Sequence, residues 1–115
     1  MSPSQLDFLK HIEHECSYLL RIKEGRTREQ LAADETLSKA IVRSLEIIGE
    51  ATKQLPEEVT STYPQVDWKD MARMRDRLIH HYFGIDYEIV FDTIFHDIPE
   101  LHHELERIIT IEEGK

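Results

Sequence analysis

Hydrophobic residues recur along this chain at intervals of three and four, the spacing that places side chains on one face of an α-helix. The first such face consists of Leu9, Ile12, Cys16 and Leu19. Ser2 or Ser4 can cap the start of this helix, and Gly25 is expected to end it. A short polar connection over residues 27–33, which can itself be helical, leads to the next helix.

A second, longer helix is predicted from a cap at Asp34 or Thr36 to Pro56, where proline stops it. Its apolar face consists of Leu37, Ile41, Leu45, Ile48, Ala51 and Leu55. Gly49 lies within this helix, where glycine costs about 1 kcal/mol relative to alanine. We therefore expect another helix to approach closely at Gly49.

A third helix is predicted from a cap at Asp67 to Gly84. Its apolar face consists of Trp68, Met71, Ala72, Leu78, Ile79 and Tyr82. Asp86 can cap a further helix, and a C-terminal helical segment runs from Pro99 to about Ile111. Pro99 is expected to kink or split this C-terminal pair.

No stretch of strand length alternates apolar and polar residues, and no Asn-Gly or Asp-Gly turn signals a hairpin. A chain of 115 residues has the usual size of one domain and is too short for two independent cores. We therefore predict a single all-α domain over residues 1–115, folded as a four- to five-helix up-and-down bundle.

Composition limits the kinds of partner that the chain can bind and the cellular compartment in which we expect it. The net charge of −9 argues against broad affinity for nucleic acid, so that any contact with RNA must be local. A single cysteine, Cys16, excludes an internal disulfide and suits a reducing compartment. The N-terminus does not resemble a signal peptide, and no apolar stretch approaches the roughly 20 residues of a membrane span. We expect a cytoplasmic protein that does not interact with membranes.

One charged residue interrupts the apolar face of the third predicted helix. Arg75 lies at its centre, where packing favours leucine and where an unpaired buried charge is costly. A structural explanation is an ion pair with Glu46 or Glu50, or an arginine whose guanidinium extends to the surface. A functional explanation depends on the residues that follow Arg75.

His80 follows Arg75 on the same predicted helix. At about 100° per residue, the two side chains point about 140° apart on a straight helix. They can act on one phosphate if the helix bends near His80, if the length of arginine compensates, or if a two-fold dimer supplies a second copy. His80 and His81 would occupy the last helical turn, where the helix dipole favours protonated imidazole. A histidine that titrates near neutrality can accept or donate a proton in catalysis.

A four-residue motif covers this region, in the pattern Arg-x4-His-x-Tyr with a short polar residue after the arginine. Its members are Arg75, Asp76, His80 and Tyr82. The motif resembles that of the HEPN superfamily and, within it, the HepT toxins of HepT-MntA toxin-antitoxin pairs. The Ile-Gly-Glu-Ala sequence at residues 48–51, the upstream Trp68 and the chain length also resemble HepT-like proteins.

The resemblance implies a helical bundle that dimerises through the motif helix, with an RNase site shared by two subunits and with no metal or cofactor. Arg75 and His80 match the catalytic pair of that site, and Asp76 matches the polar residue after the arginine. The resemblance also implies a partner, an MntA-type nucleotidyltransferase antitoxin. In the family this antitoxin silences HepT by transferring AMP to the motif tyrosine, which is Tyr82 here.

Basic residues and a histidine around the motif are expected to contact RNA, such as tRNA or mRNA. They are Lys69, Arg73, Arg77 and His81. A solvated helix face is the alternative explanation of this cluster. A competing function is a non-catalytic nucleotide- or phosphate-binding partner subunit of a nucleotidyltransferase. The acidic net charge slightly favours that alternative, whereas the combination of Arg75 with His80 favours the nuclease.

Two groups of histidines lie outside the motif. They are His11 with His14, and His96 with His102 and His103. Neither group shows the His-Glu-x-x-His pattern of a zinc enzyme, and we expect both to be polar surface rather than metal sites.

Overall fold

Helices make up most of the chain that the computed structural model describes, namely residues 1–80, with only the backbone of His80, and 84–115. They are α1 (Pro3–Lys23), α2 (Arg28–Ala33), α3 (Glu35–Lys53), α4 (Glu57–Thr62), α5 (Trp68–Ala72), α6 (Met74–Leu78), α7 (Tyr87–Asp92) and α8 (Ile98–Glu113). A π-helical turn, Thr93–Asp97, joins α7 to α8. Two-residue strands, β1 (Ile79–His80) and β2 (Gly84–Ile85), pair after α6. The predicted all-α class is confirmed.

The first three helices begin at side-chain caps. Ser2, Thr27 and Asp34 each accept a hydrogen bond from the backbone amide three residues later, so one of the otherwise unpaired amides of each helix is satisfied. Gly25 follows α1 with φ of +72°, a left-handed conformation that glycine adopts without strain. The predicted ends of α1 and the predicted start of α3 are therefore confirmed, with Ser2 and Asp34 as the caps.

The core lies along α1, which packs most extensively against the other two long helices, α3 and α8. Its fully buried large side chains are Leu9, Ile12, Leu19, Leu31, Ile41, Leu45, Ile48, Leu78, Ile94, Ile98, Leu105 and Ile108. Burial of each such side chain stabilises the fold by about 1.5–3 kcal/mol. Within residues 1–80 and 84–115, no helix has both the length and the apolar character required to cross a membrane.

Gly49 is the point at which α3 contacts the segment that contains Arg75. A Cβ atom at this glycine would lie 3.4 Å from the Met71 carbonyl oxygen, 3.5 Å from Met74 Cβ and 3.6 Å from the Arg75 amide nitrogen. The expected close approach at Gly49 is confirmed. The missing side chain allows the α5–α6 backbone to rest directly on α3.

The C-terminal pair of helices is interrupted next to Pro99, as predicted. Pro99 lies in the first turn of α8 and has no N–H to donate to the carbonyl four residues earlier. The preceding Thr93–Asp97 segment adopts π-helical geometry, in which each amide bonds one residue further back than in an α-helix. The interruption is thus a widened turn between α7 and α8.

Candidate functional site

The segment predicted as one helix from Asp67 to Gly84 consists, over its described residues up to 80, of two short helices followed by extended backbone at residues 79–80. Asp67 caps α5, as predicted. Trp68 is buried, and its indole N–H donates a hydrogen bond to the Tyr63 carbonyl at 2.8 Å, which fixes the start of the segment. Arg73, with φ of −92° and ψ of 6°, separates α5 from α6. The prediction of one continuous helix is therefore wrong.

Met74, and not Arg75, occupies the inward position at the centre of this segment. Met74 is 3% exposed and lies between buried Met71 and Leu78, whereas Arg75 is exposed. The prediction that Arg75 interrupts a buried face is thus wrong. Residues 71, 74 and 78 also follow helical spacing, and a flexible thioether is buried at far lower cost than a guanidinium. The inward position of Met74 could therefore have been predicted from this spacing.

The ion pair proposed for Arg75 is also absent from the described structure. The two glutamates pair with other residues instead: Oε2 of Glu46 lies 3.9 Å from Nη1 of Arg43, and Oε1 of Glu50 lies 3.4 Å from Nζ of Lys53. The side chain of Arg75 forms no hydrogen bond or ion pair with any residue of the ranges 1–79 and 84–115, while its carbonyl accepts from the Ile79 amide. Its guanidinium is therefore available to a ligand.

The chain leaves helical geometry immediately after Leu78. Ile79 has φ of −113° and ψ of 116°, and β1 pairs antiparallel to β2, with His80 opposite Gly84. His80 therefore does not lie in a helical turn, and the predicted influence of a helix dipole on it is wrong. A bend near His80 was one of the three predicted ways to bring Arg75 and His80 to one phosphate. The structure contains such a change of backbone direction just before His80.

Backbone hydrogen bonds stabilise this change of direction. The Leu78 carbonyl accepts from the Asp86 amide at 2.8 Å, which satisfies a carbonyl that the ended helix leaves unpaired. Gly84 has φ of +73° and lies in β2, so the prediction that it ends a helix is wrong. Asp86 caps α7 as predicted, by accepting from the amide three residues later. Two predicted site residues, His81 and Tyr82, lie outside the described residues.

The basic residues of the segment differ in their availability. Lys69 and Arg73 are exposed, and their side chains pair with no other residue in the described part of the chain. Arg77 is half-buried, and its Nη1 lies 2.8 Å from Oδ2 of Asp70, which links α6 to α5. Arg75, Arg73 and Lys69 can therefore bind phosphate without first breaking an ion pair, whereas Arg77 cannot.

Asp76 is exposed at the start of α6. Its carboxylate forms no hydrogen bond within the described ranges, so Asp76 does not tether the side chain of Arg75. The carboxylate follows Arg75 directly in the chain and is four residues from His80.

The C-terminus of α8 is connected to the start of the site segment through Tyr63. Its hydroxyl donates to Oε2 of Glu112, while its carbonyl accepts from Trp68. Hydrogen bonds from Lys115 and Tyr63 lower the pKa of Glu112 to about 2. Burial, reinforced by the Glu112 hydrogen bond, raises the pKa of Tyr63 to about 12. The Met1 ammonium lies 3.4 Å from the other oxygen of the same carboxylate.

Among the described histidines outside the motif, His102 has a carboxylate partner at each ring nitrogen. Its Nε2 lies 3.0 Å from Glu13 Oε1, and its Nδ1 lies 3.0 Å from Glu106 Oε1. The predicted grouping of His102 with His96 and His103 is wrong, since its partners lie on α1 and one turn further along α8. The contact of Glu106 with His102 could have been predicted from their spacing of four residues on one helix. Nothing close in the sequence indicates the contact with Glu13.

Comparison with known proteins gives consistent matches. Residues 12–108 match the family model described as ribonuclease HepT-like. A Caldanaerobacter subterraneus protein named "Putative RNase" is 46% identical over 102 residues, which is 89% of this chain and 91% of that protein. A Methanocaldococcus jannaschii protein with the same description is 45% identical over 94% of this chain and 89% of its own length. The "Probable ribonuclease HepT" of Thermococcus cleftensis is 36% identical over 94% of this chain and 98% of its own length. No solved structure gives a significant match.

Proposed function

The chain belongs to the HepT-like ribonuclease family, and from that membership we propose that it is the metal-independent RNase toxin of a toxin-antitoxin pair. The observation that carries the proposal is the backbone geometry around the motif. An exposed Arg75 without an ion-pair partner among the described residues precedes a sharp change of direction, after which His80 begins β1. This geometry supports a role in which both residues act on one phosphate.

Arg75 binds the scissile phosphate through paired N–H donors and stabilises the negative charge that develops on its oxygens. His80 removes the proton from the ribose 2′-hydroxyl as the 2′-oxygen attacks phosphorus. The bond from phosphorus to the 5′-oxygen breaks, and that oxygen takes a proton from a general acid. The products are a 2′,3′-cyclic phosphate and a 5′-hydroxyl. Asp76 acts as a positioning residue that orients the imidazole of His80.

The reaction requires a base and an acid, and the motif of one chain supplies one His80. A second copy of the chain provides the other group if a two-fold axis brings the two motifs together. We therefore propose a homodimer with a composite site at the subunit interface. The exposure of Arg75 in the isolated chain supports this arrangement, because the site remains open on the side where a second subunit and RNA would bind.

Local positive charge attracts RNA to this site despite the overall charge of −9. Lys69 and Arg73, which are both exposed and unpaired among the described residues, contact backbone phosphates near the cleavage point. Arg77 contributes less because it is already paired with Asp70. His81 is the remaining proposed RNA contact and lies near His80 in sequence.

Control of this activity rests on Tyr82, two residues after His80. A cognate MntA-type nucleotidyltransferase acts as the antitoxin and transfers AMP to the Tyr82 hydroxyl. The added group carries negative charge and bulk, which repel RNA and obstruct the cleft. Mass spectrometry of the protein made together with this enzyme should show AMP on Tyr82. An unmodified Tyr82 would exclude this mode of control.

The nuclease is tested by expressing the wild type and His80→Ala separately in a tolerant host, while growth and RNA ends are followed. We expect the wild type to arrest growth and to produce 2′,3′-cyclic phosphate ends, and His80→Ala to do neither. His14→Ala, which alters an exposed histidine on α1, is the matched control and should behave as the wild type. Equal effects of the wild type and His80→Ala would contradict the proposal. RNA or nucleotide binding without cleavage would indicate the non-catalytic partner subunit instead.

A further inference from the structure

A cluster of polar side chains joins α1 to α8, the pair of helices with the most extensive contact. Glu13 and Ser17 lie one turn apart on α1, and His102 and Glu106 lie one turn apart on α8. The side chains of Glu13 and His102 are only 26% and 19% exposed, while that of Glu106 is 59% exposed. The cluster therefore lies at the edge of the helix contact, within reach of solvent.

Three atoms of the cluster form a nearly equilateral triangle. Ser17 Oγ lies 2.8 Å from Glu13 Oε1 and 2.9 Å from His102 Nε2, and the latter two atoms are 3.0 Å apart. Ligands of a tetrahedral Zn²⁺ ion, each about 2.1 Å from it, are themselves about 3.4 Å apart. The three atoms, now joined by hydrogen bonds, thus lie within about 0.6 Å of the separations that one such ion requires. Imidazole nitrogen and carboxylate oxygen are also the donors that divalent transition metals bind in proteins.

The fourth side chain holds the histidine from its other side. Glu106 Oε1 lies 3.0 Å from Nδ1 of His102, so Nδ1 donates to the carboxylate and Nε2 faces Glu13 and Ser17. A histidine that binds a metal through one ring nitrogen typically donates its other N–H to a carboxylate, which fixes the ring and increases its basicity. Glu106 occupies that supporting position, and the cluster contains both a ligand set and its support.

We propose that Glu13 and His102 bind a divalent transition-metal ion such as Zn²⁺ at the contact of α1 with α8. The Ser17 hydroxyl lies beside the ion, and water completes the coordination from the exposed side. The ion binds the unprotonated Nε2 of His102, so any proton on that nitrogen is released to solvent on binding. The two carboxylates balance the charge of the ion, while Glu106 orients the ring.

The inference does not rest on the proposed nuclease activity, because no member of the cluster belongs to the motif. The ion would connect residues 13 and 102, which lie 89 positions apart in the sequence. A ligand that binds only the folded chain stabilises it by an amount that increases with the logarithm of one plus the ratio of free ligand concentration to Kd. We therefore expect the ion to hold α8 on α1 and to raise the thermal midpoint of unfolding.

The test is a calorimetric titration of untagged, chelator-treated protein with ZnCl₂, together with thermal unfolding. We expect one ion per chain and a higher midpoint. His102→Ala should abolish both effects, while His103→Ala, which changes the exposed neighbouring histidine, should leave them intact. Glu106→Gln should weaken binding by about 10–100-fold, as expected when a supporting carboxylate is lost.

A second variant keeps the test decisive if His102→Ala fails to fold. Glu13→Gln preserves the size of the side chain but removes a charged ligand, and it too should weaken binding strongly. Absence of Zn²⁺ binding to the wild type would overturn the proposal. Binding that is unchanged in both His102→Ala and Glu13→Gln, or that is lost in His11→Ala, would also overturn it by assigning the ion to another part of the chain.

Discussion

Leu78 links the core to the candidate site, and its truncation tests that link. The side chain is 0% exposed, and residues 79 and 80, which follow it directly, form β1. Leu78→Ala removes three carbon atoms from a closely packed core. A buried leucine truncated in this way costs about 2.7–5 kcal/mol, part of which is the cavity that it leaves. At about 4 °C per kcal/mol for a domain of this size, the thermal midpoint should fall by about 10–20 °C.

The effect on RNA cleavage should exceed the effect on folding. A cavity behind Leu78 lets the backbone of Arg75 and His80 shift, and a misplacement of about 1 Å can reduce a rate by about 100-fold. Leu19→Ala is the matched control, because Leu19 is also 0% exposed but lies on α1. Both variants are assayed well below their own midpoints, with the appearance of cyclic phosphate ends as the measure of cleavage. Similar cleavage rates in the two variants would refute the proposed link.

Three further predictions concern charge, pH and the contact at α3. Filter binding measures how the affinity for single-stranded RNA falls with salt, as the slope of log affinity against log salt. Arg73→Ala should reduce the magnitude of this slope by about 0.7, and Arg77→Ala should reduce it less because Arg77 is already paired. Equal slopes for the two variants would contradict this. The free energy of unfolding should fall as pH drops from 4.5 to about 2, where Glu112 is protonated, and as pH rises from 10 to about 12, where Tyr63 ionises. Denaturant titration of Glu112→Gln should show a flatter acid limb, and an unchanged limb would exclude this carboxylate as the cause. Gly49→Ala should remain within about 1 kcal/mol of the wild type. Gly49→Leu should lower both the denaturation midpoint and cleavage, because its extra atoms must displace α5 and α6; wild-type values for this variant would show that the contact is not tight.

Local signals in the sequence were sufficient for the long helices. The caps at Ser2 and Asp34 are short-range interactions between a side chain and a nearby amide, and the apolar spacing of α3 continues through several turns. The close approach at Gly49 could be predicted because glycine within a helix requires compensation. Features of this kind depend on residues that are neighbours in the chain.

The region around the motif could not be predicted in the same way. Helical spacing continues past Leu78, and the end of the helix depends on a hydrogen bond from Asp86, eight residues later. Whether residue 74 or residue 75 faced the core was also ambiguous, since both positions suit a helical face. Tertiary contacts with α3 and β2 resolve both points, and spacing along one element does not report on such contacts.

The partners of His102 illustrate a stricter limit. Glu13 lies on another helix, and its pairing with His102 follows from the packing of α8 against α1. Sequence proximity instead suggested His96 and His103, which lie near His102 in the chain. A site made from two distant helices becomes visible only when their relative rotation is known.

The missing side chain at Gly49 also bears on how much sequence variation this site can tolerate. The amide nitrogen of Arg75 and the carbonyl oxygen of Met71 lie against the backbone of α3, so main-chain atoms on both sides set the distance between them. Rotamer changes and conservative replacements elsewhere in the core alter side-chain volumes but not this separation. Arg75 can therefore keep its position when core side chains elsewhere are replaced during evolution. A mutation that adds side-chain atoms at residue 49 would displace it.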